Sequence, residues 1–153
     1  MRLTRQTNYA IRILMYCAAN EGRLSRIPDI AAAYSLSDLF LFKILQPLVE
    51  AGMVQTVRGR HGGVRLAKPA EEITLFDVVR VTEESFAMAE CFEADSDCPL
   101  ADGCGLSEAL RKALGAFFEV LASYSIRDLV DARPNMRALL GIEAPAAQIA
   151  APH

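Results

Sequence analysis

Between residues 27 and 66 the sequence spells a short helix, a tight break, a longer helix and a glycine-rich hairpin, an order that few architectures accommodate. Pro28 suits the N1 position of a helix from Pro28 to Tyr34, with Ile27, Ile30 and Ala31 facing inward. Ser35-Leu36-Ser37 interrupts it. Ser37 then caps a helix from Asp38 to about Ala51, which Gly52 ends. Met53 to Arg58 alternates as a strand and Val64-Arg65-Leu66 pairs back on it, with Gly59-Arg60-His61-Gly62-Gly63 supplying the positive-φ residues of the tip. Helix, turn and longer helix make a helix-turn-helix, and the hairpin behind it makes a wing. The expected fold class is mainly α with a small β wing, the winged helix-turn-helix occupying residues 1–68.

This unit has the charge of a polyanion binder. Residues 1–68 hold ten Lys/Arg against four Asp/Glu, or +6, whereas residues 69–153 hold six against fifteen, or −9. A preceding helix over 8–19, capped by Thr4 or Thr7, puts Tyr9, Ala10, Ile13, Leu14, Cys17 and Ala18 on one stripe. Cys17 on that stripe reads as an inert small hydrophobe. Arg2, Arg5 and Arg12 lie on or before this helix, within reach of phosphates. In the helix from Asp38, Leu41, Ile44, Leu45 and Leu48 form the core stripe, while Leu39, Phe42, Lys43 and Gln46 share the opposite face. Two large apolar groups there either meet thymine methyl groups or pack on a neighbouring helix. Pro47 should kink this helix or thin its ladder. Arg58, Arg60, His61 and Arg65 charge the wing, and arginines on a thin loop suit a narrow minor groove. The DNA-facing candidates are Arg2, Arg5, Ser37, Leu39, Phe42, Lys43, Arg58, Arg60 and His61.

Residues 69–90 connect, with Thr74 to Asp77 opening a short helix through a capping box. A helix from an N-cap at Ser107 to about Ser123 carries Leu110, Ala113, Leu114, Phe117, Val120, Leu121 and Tyr124 at helical spacing, and in a chain this small it is expected to pack on a copy of itself. Residues 105–131 thus form the dimerisation helix and one further turn begun by Ser125. Residues 132–153 thin to Ala, Pro and Gly and read as a disordered tail.

Three of the four cysteines fall at C-x6-C-x5-C: Cys91, Cys98 and Cys104. Between them lie a proline, a glycine and the acids Glu93, Asp95, Asp97 and Asp102, the composition of a loop. Soft sulfur ligands select zinc, copper(I) or iron–sulfur clusters. A structural zinc wants four closely paired ligands, and neither His61 nor His153 is placed to complete a set. A cluster with one non-cysteine position, a zinc site and a thiol redox pair such as Cys98–Cys104 all remain open on spacing alone.

The motifs together resemble a known family. MRLTRQTNYAIRILMYCA, the turn-helix SLSDLFLFKILQPLVEAGMV, the wing VRGRHGGVRLAKP, ITLFDVV and the triple-cysteine loop are similar to the winged-helix iron–sulfur regulators typified by IscR and NsrR, over about residues 1–131. Within that family CFEADSDCPLADGCGLSEALRKAL resembles the rhizobial iron-regulator branch. The resemblance implies a homodimer with crossing long helices, a double-stranded DNA operator (an inverted repeat) and an iron–sulfur cluster, [4Fe-4S] or [2Fe-2S], on Cys91, Cys98 and Cys104. It implies repression of iron-uptake genes while the cluster is intact, or a nitric-oxide or redox signal read by cluster or bare thiols. IscR-like members complete the site with a histidine where this chain has Ser107. NsrR-like members use a carboxylate of the partner's first helix, where this chain has Asn8. Asn8 of the partner subunit is the candidate fourth ligand.

Other classes fit less well. No run of 18 apolar residues is present, so no membrane span is expected. The N-terminus carries no apolar signal region, and clustered thiols suit the reducing cytoplasm. An enzyme would need acid and base groups around a pocket, and two ill-placed histidines with one short loop offer little.

Overall fold

The computed structural model describes residues 2–92, 97–100 and 103–143. The loop acids Glu93, Asp95 and Asp102, His153 and the tail beyond residue 143 lie outside them. Among the described residues, seven helices and a two-stranded antiparallel sheet follow one another as α1 (Arg5–Ala19), α2 (Ile27–Tyr34), α3 (Asp38–Glu50), β1 (Val54–Val57), β2 (Gly63–Leu66), α4 (Leu75–Thr82), α5 (Gly105–Ala122), α6 (Ile126–Asp131) and α7 (Met136–Leu139). Single 3-10 turns occupy Ala70–Glu72 and Glu90–Phe92. No described helix is long and apolar enough to cross a membrane.

Caps written in the sequence set most boundaries. Thr4 accepts from the Thr7 N–H to start α1, and Ser37 accepts from the Phe40 N–H to start α3. Thr74 and Ser125 each make a reciprocal capping box, with Asp77 and Asp128. Burial pushes the Asp77 carboxyl up, but hydrogen bonds from the Thr74 N–H and hydroxyl, with Lys68 and Arg80 nearby, together bring it below its ordinary value. The two boxes stand side by side: the Leu75 N–H donates to the Tyr124 carbonyl and the Ile126 N–H to the Ile73 carbonyl, both at 2.9 Å. The end of α5 is thereby spliced to the start of α4. Pro47 sits inside α3, which continues through it to Glu50; having no N–H, it leaves the Lys43 carbonyl without its helical donor.

The core lies between α1, α3, the sheet and α6. Ile13, Leu14, Ile30, Leu41, Ile44, Leu48, Val64, Ile73, Val78 and Ile126 are fully enclosed. Each such side chain contributes about 1.5–3 kcal/mol over exposure. Cys17 is buried as expected, and burial pushes its thiol up to about 12. A hydrogen bond with Ser25 opposes that push only weakly.

Four expectations change. The long helix begins at Gly105 with Cys104 at its N-cap, so Ser107 is an early helical residue rather than the cap. Residues 132–143 are not a structureless tail: α7 forms, Ile142 is buried, and Arg137 donates to the Ala19 and Glu143 carbonyls. The few apolar residues there find the end of α1, which composition alone does not reveal. In α2, Arg26 is the cap, Ile27 the first residue and Pro28 the second. At the wing tip only Gly59 has positive φ (109°). Gly63 is glycine for space: a Cβ there would lie 2.5 Å from the Ser25 carbonyl oxygen, because Ser25 and Val64 exchange backbone hydrogen bonds of 2.8 and 2.9 Å.

Candidate nucleic-acid interface and cysteine segment

The free face of α3 is as open as a reading surface must be. Leu39 is 82 % exposed and Phe42 55 %. Of the two readings left open for them, packing on a neighbouring helix of the same chain fails. Phe40 does that work, meeting the Tyr9 ring edge-on at 5.9 Å between centroids. Lys43 and Gln46 are exposed beside them, and Gln46 donates to Glu50 at 3.1 Å. Ser37 is exposed, its oxygen engaged in the cap while its O–H stays available to donate.

Across from α3 the wing presents Arg58, Arg60 and His61, all exposed. A cleft of about 580 Å³ separates helix and wing, lined by Arg26, Pro28, Phe42, Arg58 and Arg60. Arg65 reaches over the register partner Gln55 and donates to it at 3.3 Å. Arg2 and Arg5 are exposed at the start of α1. The Arg5 guanidinium stands 5.8 Å from both the Tyr9 and Phe40 rings, which keeps it near the first turn of α3. The Arg12 guanidinium stands 5.2 Å from the Tyr9 ring and 5.9 Å from Tyr34. Exposed cations before and on α1 and on the wing therefore flank the apolar and amide-bearing face of α3.

The cysteine segment is a separate surface. Cys91 sits in the turn Glu90–Phe92, Cys98 in the short described stretch 97–100, and Cys104 at the N-cap of α5; all three are half-buried. Cys17, Cys91 and Cys104 are thiols outside any disulfide. Among the described residues no group of three His, Cys, Asp or Glu side chains converges to hold a metal ion. Three thiols on one segment are the donor chemistry an iron–sulfur cluster takes, with the free N–H groups of the first turn of α5 favouring negative charge at Cys104. To hold one, the segment must draw together. Ser107 is buried, and its hydroxyl accepts from Arg111 Nε at 3.4 Å. Asn8 is exposed on α1.

Reasoning from the sequence missed the residue that joins the two surfaces. Glu83, immediately after α4, accepts from the Thr4 backbone N–H at 2.7 Å and the Thr7 hydroxyl at 2.6 Å. The Thr7 and Thr82 hydroxyls are 2.7 Å apart, and Thr82 donates to the Val78 carbonyl. The chain leading into the cysteines is thus fastened to the start of α1, which carries Arg5 and Asn8 and follows Arg2. A signal was present: Thr7 stands on the same helical stripe as Ala10 and Leu14, and a hydroxyl on an apolar stripe needs a partner.

A family model described as "Rrf2: Iron-dependent Transcriptional regulator" matches residues 3–132. This chain belongs to the Rrf2 family. It is 73 % identical over 146 residues to protein aau3 of Rhizobium meliloti, spanning 95 % of each chain. It is 45 % identical over 142 residues to the HTH-type transcriptional regulator NsrR of Geobacillus kaustophilus, covering 92 % of this chain and 97 % of that protein. Among solved structures, CymR, the global cysteine regulator of B. subtilis, superposes with a TM-score of 0.72 at 27 % identity over 87 % of this chain and 98 % of that one. The winged-helix fold is shared, and the matched relatives whose names carry a role are regulators rather than enzymes. Rrf2 regulators bind DNA and act as dimers. The face of α5 suits that habit. Leu106, Val120 and Tyr124 are exposed and Leu110, Leu114, Phe117 and Leu121 only half-covered. What docks α5 in its own chain is Phe118, outside the expected stripe, between Phe76 at 5.1 Å and Phe86 at 4.9 Å.

Proposed function

We propose that this Rrf2 regulator is an iron-responsive repressor. In this reading a homodimer built on α5 binds a double-stranded, inverted-repeat operator through α3, the wing and the start of α1. An iron–sulfur cluster on Cys91, Cys98 and Cys104 supplies the iron-dependent crosslink that draws the segment together. Repression of iron-uptake genes then holds while the cluster is intact and lapses when iron is short. The supporting observation is Glu83. It ties the chain leading into the three thiols to the start of α1, which carries Arg5 and Asn8 and follows Arg2. The similarity of the cysteine loop to RirA, the rhizobial iron regulator, supports iron as the signal.

Neither non-cysteine position offers a strong anionic ligand. Ser107 is engaged by Arg111, and Asn8 of the partner subunit is an amide, poorer than a carboxylate toward iron. A weakly held corner iron suits a sensor that must release it. Asn8→Asp is expected to slow cluster loss to a chelator, and unchanged kinetics would count against this assignment.

The test is an anaerobic absorbance and native mass spectrum, followed by operator binding before and after a mild iron chelator. Binding that drops as iron leaves supports the reading. Zinc, or no metal after iron-replete anaerobic preparation, would defeat it. A second reading, a nitric-oxide or redox signal on the same residues, is favoured by the 45 % identity to an NsrR. It predicts release by nitric oxide or oxidant at constant iron.

A further inference from the structure

Lys112 and Arg111 are adjacent on α5, and they do different things. Lys112 makes an exposed ion pair with Glu108 at 2.7 Å, one turn back. Arg111 turns instead to the cysteine segment. Its guanidinium lies 4.9 Å from the centre of the Phe92 ring, and its Nε donates to the buried Ser107 hydroxyl at 3.4 Å. Phe92 follows Cys91 directly, and Ser107 is three residues after Cys104. The Ser107 bond steadies Arg111 on its own helix, and the ring contact then holds the Cys91 turn against the helix that has Cys104 at its N-cap.

We infer that Arg111 is a positioning residue of the cysteine site, a clasp that keeps the Cys91 turn on the first turns of α5 so that the three thiols start close together. The inference rests on the iron–sulfur reading above for what the thiols hold, though the clasp itself needs no cluster. Twelve residues separate Cys91 from Cys104 in the sequence, and bringing the three thiols to one centre costs chain entropy whether or not metal is present. An anchored Phe92 and Cys104 remove part of the cost beforehand. Charge acts in the same direction. The segment carries Glu93, Asp95, Asp97 and Asp102 beside three groups that must become thiolates. A guanidinium held against Phe92, next to Cys91, offsets part of the resulting repulsion. Arginine suits the task where lysine does not: its plane stacks on a ring while an in-plane N–H donates sideways.

Apo-protein thiol labelling with N-ethylmaleimide, read by mass spectrometry, tests the clasp without a cluster. In Arg111→Leu and in Phe92→Leu, Cys91 is expected to label about three- to fivefold faster than in the wild type, the Boltzmann weight of an exposed cation–π contact. Cys17, buried on the inner face of α1, reports folding and should stay protected. If Arg111→Leu exposes Cys17, Arg111→Lys, which keeps charge and length, carries the same test. Reconstituted anaerobically with iron and sulfide, the variants should lose cluster to chelator faster by a similar factor, Lys intermediate. Wild-type Cys91 labelling in all three variants would overturn the inference, even with a cluster present in the wild type. A wild type that takes up no cluster while Cys91 still responds to Arg111 would overturn the assignment to a cluster site, leaving only a structural contact.

Discussion

Replacing Gly63 by alanine puts the fit between the wing and the helical body to a direct test. The added Cβ would lie 2.5 Å from the Ser25 carbonyl oxygen and 3.0 Å from its carbon, both backbone atoms. Ser25 cannot easily retreat. It is 1 % exposed, its hydroxyl accepts from the Asn20 amide at 3.0 Å, and its backbone exchanges two hydrogen bonds with Val64. Relief of the clash breaks that pair, at about 1 kcal/mol for each bond, and adds about 1–3 kcal/mol of overpacking, so the loss is about 3–5 kcal/mol. At about 2–4 °C per kcal/mol for a chain of this size, the melting midpoint should fall by roughly 10 °C. Thermal unfolding followed by circular dichroism measures it. Gly59→Ala is the comparison, since a Cβ there meets nothing within 4 Å and only the positive φ resists it. A Gly63→Ala protein that melts within about 2 °C of the wild type would refute the argument that close approach, rather than turn conformation, fixes this glycine.

Thr7→Val keeps the shape of a fully buried side chain but removes the hydroxyl shared with Thr82 and Glu83; urea unfolding should show a loss of about 1–3 kcal/mol. Asp77 and Asp128 both have lowered carboxyl values, so their capping stabilises fully above the ordinary aspartate value and is lost as pH falls through the lower folded one. An acid titration should therefore show the wild type weakening below about pH 4, with Asp77→Asn flatter over that range. Arg60→Ala should weaken operator binding across sequences and reduce the salt slope by about one, read by fluorescence anisotropy at several ionic strengths. Val120→Asp places a charge on the open face of α5, and sedimentation should find a monomer in place of a dimer.

Local chemistry made most of the fold legible. Thr4, Ser37, Thr74 and Ser125 are caps because a hydroxyl three residues before a free N–H has one best use, and the structure uses each that way. The inward stripe of α3 followed from spacing alone; the exposure of Leu39 and Phe42 on its other face did not, because packing on a neighbouring helix fitted the same spacing. Long-range pairings were not legible. Nothing near Glu83 in sequence predicts Thr7, 76 residues away, and nothing near Arg111 points to the ring at Phe92. Gly63 looked like a turn residue because the strand-like partner it must clear, Ser25, lies outside the hairpin. Residues 132–143 read as tail because their composition is thin, yet Ile142, Met136 and Leu140 pack on the core and Arg137 reaches the Ala19 carbonyl.

The C-terminal return of the chain has a genetic corollary. Ile126 of α6 is fully enclosed in the core shared with α1, and Arg127 grips Glu21 at 2.6 Å and Glu71 at 3.0 Å. The part of the molecule that faces DNA is therefore not a portable cassette that could be cut out at residue 68. A screen for alleles that lose repression should return hits at Ile126 and Arg127 alongside α3 and the wing. Such alleles would mimic operator-contact mutants while touching no nucleotide, and suppressors of them should cluster at the far end of α1, around Ala19 and Glu21.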